Sequence, residues 1–172
     1  DCKREGPVIY AYLEGFVKNA IRIYMKFVNQ LDLTFNDISI RLLVHKIEKK
    51  YNCFKENIKS IQNKEKLVEQ LLQDINSNDK TINFNDKAIQ NINSDRLNKL
   101  LRELNFKEIE DRKIKDGLNK LLQYRNGIAH GENSYRVDEN LLMEFIDTII
   151  KTMDYVSDII CNGYDSKNYL KK

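Results

Sequence analysis

Pro7 is the only proline in the 172 residues, so no later proline can interrupt a helix. The segments after it are rich in Leu, Ile, Lys, Glu and Asn, and their apolar residues recur at spacings of three and four. This pattern predicts an all-α chain. Since 41% of the residues are hydrophobic and 32% are charged, we expect one globular domain, residues 1–172, with a substantial core.

The first two helices are predicted in the N-terminal third of the chain. The first is expected from Val8 to Gln30, and the second begins with Asn36 or Asp37 as its N-cap. The first carries a wide apolar face: Ile9, Tyr12, Leu13, Phe16, Val17, Ala20, Ile23, Tyr24, Phe27 and Val28. The second carries a narrower one: Ile40, Leu43, Val44 and Ile47.

Helices are also predicted through the rest of the chain. A helix at 64–75 is followed by a loop at 76–95, with a short extended piece in it. Ser94 and Asp95 resemble a helix start, and the leucines after them continue at helical spacing. The last two helices are expected at 111–130, capped by Gly131, and at 139–161, ended by Gly163.

The bulk charge and the cysteines narrow the class of protein. A net charge of +3 is too small to demonstrate a nucleic-acid partner and does not oppose one. Three scattered cysteines, with no C-x-x-C pair, support neither a zinc site nor a disulfide framework and are typical of a reducing compartment. We find no signal peptide and no apolar run that could span a bilayer, so a cytoplasmic protein without membrane contact is expected.

One heptapeptide, residues 125–131, stands out as a candidate site. Arg125 falls four residues after Leu121, where a bundle helix would place another leucine, and arginine is rarely buried without a partner or ligand. Asn126 and His130 are four residues apart and can share a helix face, and the long Arg125 stem can reach the same point. Gly127 is expected to let the helix loosen there.

A guanidinium, an amide and an imidazole together suit cleavage of a phosphodiester without a metal ion. The guanidinium binds phosphate oxygens bidentately and stabilises charge in the transition state. The imidazole can take a proton from a ribose 2′-hydroxyl or give one to the leaving oxygen. RNA supplies its own nucleophile, so no serine or cysteine nucleophile is needed.

Three segments carry a resemblance to a known superfamily. Residues 116–132, DGLNKLLQYRNGIAHGE, resemble the signature helix of the HEPN superfamily, in which an arginine and a polar residue are followed a few positions later by a histidine. Residues 10–18, YAYLEGFVK, resemble the opening helix of the HEPN branch found in prokaryotic toxin–antitoxin and defence operons. Residues 92–101 resemble the middle segment of that branch more loosely.

The resemblance implies an up-and-down bundle of four to five helices that dimerises, with arginine and histidine of both protomers lining one cleft. It implies that Arg125 is the phosphate-binding electrophile and His130 the general acid or base. Asn126 occupies the polar position and would orient the scissile phosphate or the imidazole. Glu14 matches a first-helix acid of this branch and would position Arg125.

The implied activity is that of a metal-independent endoribonuclease in a toxin–antitoxin or phage-defence system, with no cofactor. The implied partners are RNA, a second copy of the chain, and a cognate antitoxin or another protein of the same operon. HEPN toxins controlled by adenylylation carry a tyrosine two residues after the histidine, where this chain has Glu132, so that form of control is in doubt.

Other interpretations of the same residues stay open at this point. The chain is alternatively a non-catalytic HEPN module that binds RNA or a protein, or a purely structural subunit or antitoxin. Arg125 is alternatively the cation of a buried ion pair with Glu14 or Asp116. His130 is alternatively a C-terminal histidine that interacts with the helix dipole.

Overall fold

The computed structural model describes residues 2–44, 60–76, 82, 89–132, 135 and 137–171. Its named helices are α1 (Cys2–Gln30), α2 (Ile61–Asn76), α3 (Ser94–Glu103), α4 (Arg112–Ala129) and α5 (Glu139–Asp165), and residues 40–44 are also helical. Within these residues the β-structure amounts to an isolated antiparallel bridge between Ile38 and Leu170. The prediction of an all-α fold is confirmed.

Three helices build the core around α1. One stripe of α1, spaced by three and four residues, is at most 2% exposed: Tyr10, Leu13, Val17, Ile21, Tyr24 and Val28. Helices α4 and α5 both pack against this helix and against each other, and α3 packs on α4. Burial of each large apolar side chain stabilises the fold by about 1.5–3 kcal/mol. Helix α2 contributes no buried residue.

The predicted apolar face of α1 is too wide. Tyr12 is 70% exposed, and Ile23 and Phe27 are also largely open to solvent, although the sequence pattern assigned all three to the core. The helix also begins at Cys2, six residues before the predicted Val8. Pro7 therefore lies inside the helix, in its second turn, and does not mark its first residue.

The second predicted helix begins later than its expected N-cap. The Asp37 carboxylate accepts hydrogen bonds from the backbone N–H and the hydroxyl of Thr34, so it closes a turn instead of capping a helix. The helical residues begin at Ile40, after Ser39. Leu42 is buried there, whereas two residues expected in the core are exposed: Ile40 and Val44. The predicted core residue Ile47 lies outside the described residues.

The starts of α3, α4 and α5 follow the local signals. Asn93, Asp111 and Asp138 each cap a helix by accepting a hydrogen bond from a backbone N–H in its first turn. The C-terminal end of α5 differs from the prediction, because the helix continues through Gly163 to Asp165. The Phe106 ring packs where a β-carbon of Gly163 would lie, so this glycine serves close packing and does not end the helix.

Candidate functional site

Arg125 lies on α4 and faces α1. Its guanidinium carbon is 5.6 Å from the centroid of the Tyr10 ring, within the range of a cation–π contact. Its Nη1 donates hydrogen bonds to Oδ1 of Asn126 at 2.9 Å and to Oδ1 of Asn91 at 3.2 Å. The side chain is half-buried. Its positive charge is held by an aromatic face and by two neutral amide oxygens.

The two carboxylates proposed as ion-pair partners of Arg125 are engaged elsewhere. Oε1 of Glu14 accepts a hydrogen bond from the backbone N–H of Ile92 at 3.4 Å. Asp116 pairs with Arg112 at 3.5 Å. Among the residues that the structure describes, no carboxylate forms an ion pair with Arg125, which argues against a purely structural ion pair at this position.

Tyr10 and Glu14 of α1 together hold the chain at residues 91–92. The Tyr10 hydroxyl donates to the carbonyl of Ile92 at 2.9 Å, beside the contact of Glu14 with the N–H of the same residue. Burial, reinforced by the nearby Glu14 carboxylate, raises the pKa of Tyr10 far above its ordinary value, although the guanidinium of Arg125 opposes the shift. Tyr10 therefore stays a neutral phenol. Glu14 thus contacts Ile92, the residue that follows Asn91, and Asn91 in turn accepts a hydrogen bond from Arg125.

Asn91 is a site residue that the sequence analysis missed. Its φ of 52° lies in the left-handed region, which asparagine adopts more readily than most residues. This turn leads into the N-cap of α3 and brings the Asn91 side chain to Arg125, 34 residues away in sequence. The Asn-rich segment before Ser94 signals a turn, but no local signal shows that its side chain reaches α4.

His130 occupies the C-cap of α4 and its side chain is exposed. Gly131 follows with a φ of 74°, and the N–H groups of Gly131 and Glu132 donate to the carbonyls of Ile128 and Gly127, at 3.1 and 3.0 Å. This is a Schellman motif, and it confirms Gly131 as the C-terminal cap. The cap leaves the imidazole at the open end of the helix.

Within α4, a hydrogen bond joins Arg125 to Asn126, whereas His130 lies five residues beyond Arg125, at the C-cap of the helix. Five residues along an α-helix correspond to a rotation of about 140° and a rise of about 7.5 Å, so the two side chains leave α4 in different directions. In the described part of the chain, no hydrogen bond joins the His130 imidazole to Arg125 or Asn126.

Gly127 does not loosen the helix, contrary to the prediction. Helix α4 is regular through it, and the Tyr135 ring packs directly on its backbone. Tyr135 also meets Tyr124 edge-on at 5.1 Å, and Tyr124 meets Phe145 of α5 at 5.5 Å. Because of this aromatic cluster, Gly127 is required for close packing beside the candidate site.

Substitution of Gly127 with alanine is expected to destabilise the protein by about 1–3 kcal/mol, because the added β-carbon overlaps the Tyr135 ring. Gly15→Ala in α1 is the matched control, since no atom lies within 4 Å of its β-carbon, and it should stabilise by about 0.5–1 kcal/mol. Urea unfolding measures both. When Tyr135 is also replaced with alanine, Gly127→Ala should lose most of its destabilising effect. Equal stability of Gly127→Ala and Gly15→Ala would contradict this account.

No three His, Cys, Asp or Glu side chains of the described residues lie together as a group able to hold a metal ion. No helix in the described ranges has the length and apolar character needed to span a membrane.

The family model described as RiboL-PSP-HEPN matches residues 7–162, which include Glu14, Asn91, Arg125 and His130. Neither a curated protein nor a solved structure matches the chain.

Proposed function

The chain belongs to the RiboL-PSP-HEPN family, and on that premise we propose that it is an endoribonuclease that cleaves RNA with Arg125 and His130 and needs no metal ion. Membership of a HEPN family supports an RNase or an RNA-binding module. The observation that carries the proposal is the environment of Arg125, whose half-buried charge is held by neutral groups and left available to an anion.

A phosphate is the anion that this guanidinium fits. Only Nη1 donates hydrogen bonds to the described residues, so Nε and Nη2 present two parallel N–H groups. Such a fork binds two oxygens of one phosphate and supplies more geometric specificity than a lysine. Partial burial weakens solvent screening and strengthens the attraction to the phosphate. Asn126 and Asn91 hold Nη1 and thereby orient the fork.

The reaction proceeds by transfer of the phosphoryl group within the RNA. The imidazole of His130 takes the proton of a ribose 2′-hydroxyl, the O2′–P bond forms, and the P–O5′ bond breaks. The leaving 5′-oxygen gains a proton, either from an imidazolium or from water. Arg125 stabilises the negative charge that grows on the phosphate oxygens. The products are a 2′,3′-cyclic phosphate and a 5′-hydroxyl end.

The partner that completes the site is a second copy of this chain. Because Arg125 and His130 leave α4 about 140° apart, we place the imidazole of one protomer beside the guanidinium of the other. The exposed apolar residues on the outer face of α1, Val8, Tyr12 and Ile23, support association of this kind.

The biological setting that we propose is a toxin–antitoxin or phage-defence system, with an antitoxin or operon partner protein that restrains the nuclease. This rests on the resemblance of residues 10–18 to the opening helix of that HEPN branch. Expression in bacteria should then arrest growth.

Incubation of the purified protein with RNA in EDTA tests the activity. We expect cleavage fragments that carry 2′,3′-cyclic phosphate ends, and no cleavage of DNA of the same sequence, because DNA lacks the 2′-hydroxyl. Cleavage of the DNA, or activity that depends on an added divalent ion, would overturn the mechanism.

A non-catalytic module that binds RNA is the second candidate. It is favoured because, among the described residues, no hydrogen bond joins the His130 imidazole to Arg125, and a binding protein needs only the guanidinium. Tight RNA binding by the parent protein, with no fragments in EDTA or in magnesium, would select this function.

A further inference from the structure

A second guanidinium, that of Arg96, is held by the loop that also contacts Arg125. Nη1 of Arg96, in the first turn of α3, donates to the carbonyl of Gln90 at 2.8 Å and to the carbonyl of Asn91 at 3.3 Å. Nη1 of Arg125 donates to the side-chain oxygen of Asn91. Two guanidinium groups from different helices therefore converge on one residue.

The contacts of Arg96 differ from those of two other exposed cations on α3 and α4. Arg102 pairs with Glu108 at 2.7 Å, and Lys120 pairs with Glu144 at 2.9 Å. Arg96 instead donates to carbonyl oxygens, and within the described ranges no carboxylate forms an ion pair with it. Its charge is held in place without being neutralised.

Two arginines act electrostatically on the Tyr10 hydroxyl, which contacts the loop that carries Asn91. Arg96 and Arg125 both act on the Tyr10 hydroxyl and lower its pKa against the effects of burial and of Glu14, so both cations lie within electrostatic reach of that group. Glu14 is the carboxylate that opposes them at this hydroxyl, and among the described residues it forms an ion pair with neither arginine. A surface of this kind attracts a polyanion and not a neutral ligand.

Three side chains fix the loop that carries Asn91. Tyr10 and Glu14 hold Ile92 from α1, and the Asn93 side chain caps α3 by accepting from the N–H of Arg96 at 2.9 Å. The spacing of the two guanidinium groups is therefore set before any ligand arrives. Preorganised contacts cost less ordering free energy on binding than flexible ones.

We propose that Arg96 and Arg125 form a continuous binding surface for two neighbouring phosphates of one RNA strand. Arg125 takes the scissile phosphate, and Arg96 takes an adjacent phosphate and thereby sets the register of the strand. This inference rests on the proposed function and adds a second substrate contact to it. Arg96 binds substrate without taking part in proton transfer.

The salt dependence of RNA binding tests the role of Arg96. The probe is a 2′-O-methyl RNA strand, which cannot be cleaved because its 2′-oxygens carry no proton. Each phosphate contact to a single strand contributes about −0.7 to the slope of log K against log salt concentration. Arg96→Gln should make the slope less steep by about 0.7 and weaken binding about fivefold at about 0.1 M salt.

Two further variants separate this role from other effects. Arg112→Gln is the matched control, because it removes one charge from an exposed arginine that pairs with Asp116, and it should leave the slope at the parent value. Arg96→Lys keeps the charge and should keep the slope. An unchanged slope in Arg96→Gln overturns the proposal, even if affinity falls in both Arg96 variants, because Arg96 would then only hold the loop.

Failure of this inference is distinguishable from failure of the proposed function. If the parent protein cleaves RNA in EDTA and Arg96→Gln keeps the parent slope, only the phosphate contact of Arg96 is wrong. If the parent neither binds the 2′-O-methyl strand nor cleaves RNA, the nuclease assignment fails and this inference fails with it.

Discussion

Replacement of His130 with alanine is expected to slow RNA cleavage in EDTA by about 10²–10⁴-fold and to leave RNA affinity close to that of the parent. The imidazole is exposed at the C-cap of α4 and makes no hydrogen bond to the described residues, so its removal leaves the helix cap in place. We therefore expect His130→Ala to remove proton transfer and nothing else. Single-turnover cleavage at saturating protein measures it.

Two control variants accompany this result. One carries the same substitution at the other histidine, and the other replaces Arg125. His45→Ala removes the only other histidine of the chain and should cleave like the parent. Arg125→Ala should lose cleavage and also lose affinity, because the guanidinium binds the phosphate before and during the reaction. If His130→Ala only lowers the melting temperature and cleaves at the parent rate, His130 interacts with the helix dipole and is not catalytic.

Growth of bacteria that express these variants extends the same comparison to the cell. Under the proposed function, the parent and His45→Ala arrest growth, whereas His130→Ala does not. Growth arrest by His130→Ala at the same expression level would mean that binding, and not cleavage, harms the cell.

Helix boundaries were predictable where a local signal determines them. Asp111 caps α4 through its own side chain, and Gly131 ends it because the left-handed conformation favours glycine. Such signals depend on residues a few positions apart. The replacement of an apolar residue by Arg125 is also visible locally, and the structure places this arginine against Tyr10, Asn91 and Asn126.

Features that depend on distant contacts were not predictable in the same way. Gly127 and Gly163 were expected to loosen or end their helices, but rings from other segments, Tyr135 and Phe106, pack against them. A lone glycine in a helical pattern has both meanings, and only the distant ring decides between them.

The width of the buried stripe of α1 and the contact of Asn91 with Arg125 were not predicted, for the same reason. Periodicity shows that a helix has an apolar side, but neighbouring helices decide how much of that side is covered, so Tyr12 was wrongly placed in the core. Asn91 contacts Arg125 only because α1 and α3 fix the loop between them. That contact has no counterpart in local sequence.

Two kinds of mixed dimer test whether Arg125 and His130 act across protomers. We expect one kind to keep about half of the parent cleavage activity and the other kind to be inactive. In the first dimer, one protomer carries Arg125→Ala and the other carries His130→Ala. If each site takes its arginine from one protomer and its histidine from the other, this dimer keeps one intact site and about half of the parent activity per dimer. Differently tagged protomers, coexpressed and purified by both tags in turn, give the material.

The second mixed dimer is the matched control for the first, and it is expected to give the opposite result. Here both substitutions lie in one protomer and its partner is unchanged, so each composite site lacks one of its two groups and cleavage in EDTA falls to the background of the single variants. If the site instead lay within one chain, this second dimer would be half-active and the first would be inactive. Because the same four side chains are present in both dimers, differences in folding or expression cannot produce that reversal, and it would refute the composite site.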